Sequence, residues 1–179
     1  VKGSPMLAKR IQELLPAAYD TNWGIDHGTW SVLCRMFPAA DIPTVQISIP
    51  RIADFSTLYQ LGAMLKPLRD EGILIIGSGN VVHNLRTVSW GMEGGYPYCE
   101  VFDQAIKEAI LSRNTDVIFH PPLEEDRLRR SFMSTEHYAP LPFVMGATDE
   151  GDFCEVFNDR CLMGSLSMTS YCFSQEPII

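Results

Sequence analysis

Positive charge is scarce in this sequence: 14 Lys and Arg stand against 22 Asp and Glu, a net charge of -8. A free-standing nucleic-acid binder is usually basic, so the balance argues against that class. No apolar run approaches the ~18 residues that cross a bilayer. The longest candidate, residues 72–77, is strand-sized, so no membrane partner is expected. No secretory signal opens the chain. There is no H-E-x-x-H, G-x-S-x-G or P-loop pattern. The five cysteines (Cys34, Cys99, Cys154, Cys161 and Cys172) are odd in number and form no C-x-x-C pair. This argues against a disulfide framework or a structural zinc site, and for a reducing, cytoplasmic setting. An initiator Met is also missing. The sequence enters at Val1-Lys2-Gly3, as a trimmed chain or a piece of a longer one would.

What is present is ordinary globular material. The 179 residues are 46% hydrophobic and 20% charged, with 13 Gly and 12 Pro in no periodic arrangement. No internal repeat or linker divides the chain, so one domain over 1–179 is expected. Ser4-Pro5 is a helix start, and Leu7, Ile11, Leu14 and Leu15 share one helical face up to Pro16. Trp30, Leu33, Cys34 and Phe37 predict a second helix, closed by Pro38. Residues 98–112 predict an amphipathic helix. Residues 114–130 are less regular and highly charged. Residues 135–146 have a helical pattern interrupted by Pro140 and Pro142. Residues 149–159 read as a polar connection, and 164–173 as a late strand, with the character of an edge.

The centre of the chain is the most informative stretch. Residues 42–49 (IPTVQISI) read as a buried strand, 54–70 as a helix that Pro67 kinks near its end, and 73–76 as a second buried strand. Strand, helix, strand makes a right-handed crossover between parallel strands. The expected fold is therefore α/β, with a mostly parallel or mixed central sheet flanked by helices. Ligands in such sheets bind beyond the carboxyl ends of the strands. Here that edge is Gly77-Ser78-Gly79-Asn80, with His83 just past it.

The candidate chemistry rests on four histidines. His27 lies in a turn between Trp23 and Trp30. It either presents a ring nitrogen into a cleft, its tautomer set by Asp26 or backbone, or bonds the next helix's N-terminus. His83 is a general acid or base at the sheet's edge, or an incidental neighbour of a glycine loop. The full G-x-G-x-x-G spacing fails because residue 82 is Val. His137, near a helix start, is a metal ligand or an exposed residue beside a cap. Glu136 points elsewhere on a helix and is a poor co-ligand. His120, before two prolines, reads as a loop residue. Glu124, Glu125 and Asp126, followed by Arg127, Arg129 and Arg130, read as a solvated face.

Several stretches together resemble the class III extradiol ring-cleavage dioxygenases of the LigB superfamily, in the DOPA 4,5-dioxygenase-like branch. They are Gly3-Ser4-Pro5, the segment 23–30 with its D-H-G-x-W, the segment 41–49, and the segment 68–86 with G-S-G-x-x-x-H-N-L-R. Thr135-Glu136-His137-Tyr138-Ala139-Pro140-Leu141 and Gly164-Ser165-Leu166-Ser167-Met168 complete the set, in matching order across nearly the whole chain.

The resemblance implies a non-haem Fe(II) enzyme that opens a catecholic ring beside its two hydroxyls using O2, on a DOPA-like substrate. Zinc is a second occupant of the same site. It implies that His137 is a metal ligand, and that His83 handles protons as O2 adds and the ring opens. It also implies that His27 hydrogen-bonds substrate or bound oxygen, with Asn84 beside the substrate. Two further metal-binding histidines are implied, one in an H-G-S-P segment and one in an S-x-H-W segment. This sequence contains neither. The expectation is therefore the C-terminal two thirds of a LigB-like domain, N-terminally truncated. Such a chain would have apolar sheet edges exposed and would not be a competent dioxygenase alone. A homodimer is compatible with this reading. The alternative is a non-catalytic Memo-like relative that keeps the fold for binding.

Overall fold

The computed structural model describes residues 1–121, 130–132 and 134–178. The charged stretch from Glu124 to Arg129 lies outside the described residues.

Helix starts follow local capping chemistry. Helix α1 (Pro5–Leu14) begins after Ser4, whose hydroxyl accepts from the Leu7 N–H at 3.2 Å. Helix α2 (His27–Met36) begins after Asp26, which accepts from Thr29 N–H at 2.8 Å. It starts three residues earlier than the apolar spacing predicts, because the cap rather than the apolar face sets the first turn. Asp54 caps α3 (Phe55–Met64) in the same way, through Thr57 N–H at 2.7 Å. The predicted helix over 54–70 is in fact two. Pro67 starts the single turn α4 (Pro67–Asp70), since its ring cannot donate to the turn before it.

Helix α5 (Pro97–Leu111) and the short α6 (Thr115–Phe119) follow. A 3-10 turn at Thr135–His137 leads into α7 (Pro140–Gly146), again opened by proline. The chain closes with strands β1 (Phe153–Phe157), β2 (Cys161–Leu162), β3 (Leu166–Ser167) and β4 (Ser170–Ser174).

Strands β1 and β4 pair antiparallel, with Glu155 opposite Cys172, and β2 pairs antiparallel with β3. Residues 149–159 are thus more than a polar connection: they hold β1. Asp152 and Glu155 give the stretch its polar look in the sequence.

The two segments expected as buried strands at the centre, 42–49 and 73–76, form no strand among the described residues, and they are half-buried rather than buried. Val45, Ile47, Ile49, Ile73 and Ile75 pack on a core of Leu58, Leu65, Leu68, Ile11, Leu15 and Phe143. Leu74 and Ile76, on the opposite face, are 63% and 42% exposed. Among the described residues no backbone ladder joins either segment to a neighbouring strand. The alternation of side chains decides which face is buried, but pairing needs a strand alongside.

A second core forms around α5. Phe102, Ile106 and Ile110 meet Ile118, Tyr138, Met145 and Val82, all essentially inaccessible to solvent or nearly so. The segment 135–140 runs between the two cores: Tyr138 enters one and Ala139 the other. Residue 137 is thereby pinned from both sides. No helix of the described residues is long and apolar enough to cross a membrane.

Candidate active site

Three of the four histidines come together. The rings of His83 and His137 are stacked, 3.4 Å between centroids and 10° from parallel. His83 is held by backbone. Its N–H donates to Ser131 C=O at 2.8 Å, and it makes isolated bridges to Phe132 and Leu166. His137 is held by the glycine loop, since Asn80 N–H donates to the His137 C=O at 2.9 Å. A Cβ on Gly79 would overlap that carbonyl, and one on Gly77 would sit 2.7 Å from Val144 Cγ2. The two glycines therefore serve the approach of one segment of the chain to another.

His27 is exposed at the first position of α2. Its turn is anchored from two sides. Gln46 Oε1 accepts from Asp26 N–H and from the Thr29 hydroxyl, each at 2.9 Å, while Gln46 Nε2 donates to Asp26 Oδ2 at 3.1 Å. The Ser78 hydroxyl donates to Gly28 C=O at 3.0 Å. This ties the D-H-G turn directly to the G-S-G loop. Gln46 escaped the sequence reading because one polar residue in an apolar run reads as an outward position. Here it is the residue that fixes the His27 turn.

Burial is the first cause that holds His137 below the ordinary imidazole range. The neighbouring His83 adds to the effect and Glu136 opposes it, and a positive charge on His27 would also disfavour protonation. Burial likewise lowers His83, against the pull of Glu136. Asp26 is held below the usual carboxylate range, chiefly by the Thr29 N–H it accepts. Two facing imidazoles therefore stay neutral near pH 7, the form that ligates a metal or accepts a proton.

Asn84 is buried, and both ends of its amide are engaged. Nδ2 donates to Arg130 C=O at 2.6 Å, and Oδ1 accepts from Arg86 N–H at 3.1 Å. It frames the site by holding two backbone segments together. His120 stands apart, exposed at the end of α6, in a cleft lined by Glu108, Ser112 and Asn114.

The family match decides what this arrangement belongs to. Residues 1–173 match the family described as the catalytic LigB subunit of aromatic ring-opening dioxygenase. The chain belongs to the LigB family. It is 44% identical over 176 residues to an Escherichia coli K12 protein named 4,5-DOPA dioxygenase extradiol, covering 94% of this chain and 65% of the relative. It is 34% identical over 178 residues to a Beta vulgaris protein of the same name, covering 96% and 66%. The chain thus spans about two thirds of the length of these LigB relatives. A crystal structure of an uncharacterised protein from Escherichia coli K12 superposes with a TM-score of 0.85 at 40% identity, covering 94% of this chain and 72% of that one. The α/β fold is therefore that of LigB-like proteins.

The donors present fit a transition metal in kind, because neutral imidazole is a common ligand. They fall short in number. Among the described residues no group of three or more His, Cys, Asp or Glu side chains is placed to hold a metal ion.

Proposed function

We propose that this chain, acting as one domain over 1–179, serves an extradiol dioxygenase that opens a catecholic, DOPA-like ring with O2. The observation that carries the reading is the stacked neutral pair His83–His137 with the His27 turn fastened beside it. The names of the LigB relatives point the same way. In the net reaction the carbon–carbon bond beside the two hydroxyls breaks. Both atoms of O2 enter the product, one completing a carboxylate and the other an aldehyde.

His137 is the ligand this chain contributes, to Fe(II) or, in an inactive form, to zinc. When bound, the metal supplies a centre that gathers the catechol oxygens and O2. His83 performs proton work. A ring nitrogen kept neutral by burial takes a catechol hydroxyl proton and returns it as the ring opens. His27, exposed at the mouth, donates a hydrogen bond to the substrate. Asn84 keeps the wall beside His83 in place. The setting is cytoplasmic, with a small catechol and O2 as partners.

One observation favours a second reading, a non-catalytic binding protein: the described residues do not complete a metal site. Incubation of the chain, joined to an upstream segment that supplies the H-G-S-P and S-x-H-W histidines, with Fe(II), L-DOPA and O2 separates the two. The enzymatic reading expects O2 uptake matched one to one by a ring-opened, yellow semialdehyde, abolished in His83→Gln. Catechol binding without O2 uptake would favour the binding protein.

A further inference from the structure

A cleft of about 570 Å³ is lined by Arg86, Thr87, Val88, Tyr96, Pro97, Tyr98 and Arg130. Among the described residues no acidic side chain lines it, in a chain with 22 acids against 14 bases. Both arginines are exposed, and neither forms an ion pair among the described residues. Glu100, the acid nearest in sequence to the tyrosines, is turned away to accept from Gly95 N–H at 2.8 Å.

The cleft is tied to the histidine site through the backbone. Arg86 follows His83 by three residues. Arg130 immediately precedes Ser131, whose carbonyl receives the His83 N–H. Asn84 fastens the two, accepting from Arg86 N–H and donating to Arg130 C=O. Two guanidinium groups are thus set on backbone positions fixed relative to the stacked imidazoles. The tyrosines supply an aromatic wall: their rings lie 5.7 Å apart at 23°, and the Tyr98 hydroxyl is locked to Thr87 Oγ1 at 2.9 Å.

We propose that this cleft is an anion subsite, in which Arg86 and Arg130 take the carboxylate of an aromatic acid whose ring reaches the histidines. Guanidinium forks match a carboxylate in shape and charge, and tyrosine faces accept an apolar linker or ring. The site therefore selects substrates that carry a carboxylate at the end of a short side chain, and disfavours neutral or cationic catechols. This deepens the proposed catechol chemistry and rests on it for the ring's destination. The anion subsite itself can be read independently of that chemistry.

The test is calorimetric titration of the chain, without metal or O2, using two ligand pairs. One is 3-(3,4-dihydroxyphenyl)propanoate and its primary amide; the other is 3-phenylpropanoate and its primary amide. The acid of each pair is expected to bind about ten-fold more tightly than the amide, the scale of a charge-assisted hydrogen bond. The ratio should fall to within about three-fold in Arg86→Gln and in Arg130→Gln, and should shrink with added salt. Arg86→Lys, which keeps the charge, should retain part of the preference. Circular dichroism melting of each variant confirms that it folds. Equal binding of acid and amide, a preference that survives both glutamine variants, or no binding of any acid would each overturn the proposal. The plain phenyl pair reads the anion subsite alone. Failure of the catechol reading appears separately, as no O2 uptake with an intact acid preference.

Discussion

His83 and His137 face each other ring to ring at 3.4 Å, although one follows a glycine loop and the other ends a 3-10 turn. Two imidazoles at that distance cannot both carry charge without strong repulsion. Burial already disfavours the charged form of each.

This pair gives the metal-free chain a signed pH response. Both folded pKa values lie below the unfolded value of about 6.5. The folded chain therefore binds fewer protons than the unfolded chain as the pH falls through that value. The contribution of the neutral pair is fully present above about pH 6.5 and is lost as pH falls through the lowered values. Thermal melting between pH 8 and pH 5 should show Tm dropping on the acid side. His137→Gln should flatten that drop. An unchanged slope would mean that the pair is not held neutral.

The glycine loop is expected to be intolerant of side chains. Gly79→Ala places a Cβ against the His137 carbonyl, which is backbone and cannot swing away. A destabilisation of about 1–3 kcal/mol is expected, as for overpacked cores. Gly3→Ala, where nothing lies within 4 Å, should stay within about 0.5 kcal/mol. Urea denaturation of the two variants measures the contrast.

A second charged cluster joins α4 to the segment before β1. Arg69 reaches Asp152 at 2.7 Å and Asp149 at 3.2 Å, and also donates to the Ala147 C=O. The Asp152 side chain is only 1% exposed. Burial would raise its pKa, but the Arg69 hydrogen bond and other partners outweigh burial and leave it below the usual carboxylate range. Its stabilisation is present above the unfolded carboxylate value near ~3.9 and is lost as pH falls through the lowered value. Arg69→Ala leaves Asp152 with the Asp149 N–H at 2.9 Å and the charge of Arg113, and should cost about 1–3 kcal/mol at pH 7, with the loss shrinking below about pH 4. Denaturation at the two pH values checks both halves.

The central segments 42–49 and 73–76 were legible as apolar, but they read as buried strands, and only one face of each is packed inward. Their pairing was not legible, because a ladder depends on a neighbour and not on the strand's own residues. The histidine cluster was readable only in part. His83 and the glycine loop are close in sequence. The stack with His137 depends on two cores meeting at 138–139, and the tie between His27 and the loop depends on Gln46 and Ser78. Arg86 stood in the H-N-L-R motif without a role and Arg130 read as part of a solvated face, since a surface arginine in a sequence is indistinguishable from one that lines a cleft.

The outward residues of the unpaired segment make a further prediction. Leu74 and Ile76 present an apolar face on a segment that pairs with no strand among the described residues, a template for another strand. Leu74→Lys should lower self-association, read as a smaller scattering mass at a fixed concentration, with Tm little changed. Identical association in the variant would place the sticky surface elsewhere.

The central claim, that His137 holds the metal and His83 moves protons, is tested most directly by anaerobic Fe(II) equilibrium dialysis. The chain is compared with His137→Ala and His83→Ala. The account expects His137→Ala to weaken iron binding at least about ten-fold, as loss of a ligand does, and His83→Ala to change it by less than about three-fold. Equal losses in both variants, or unchanged binding in His137→Ala, would contradict the assignment.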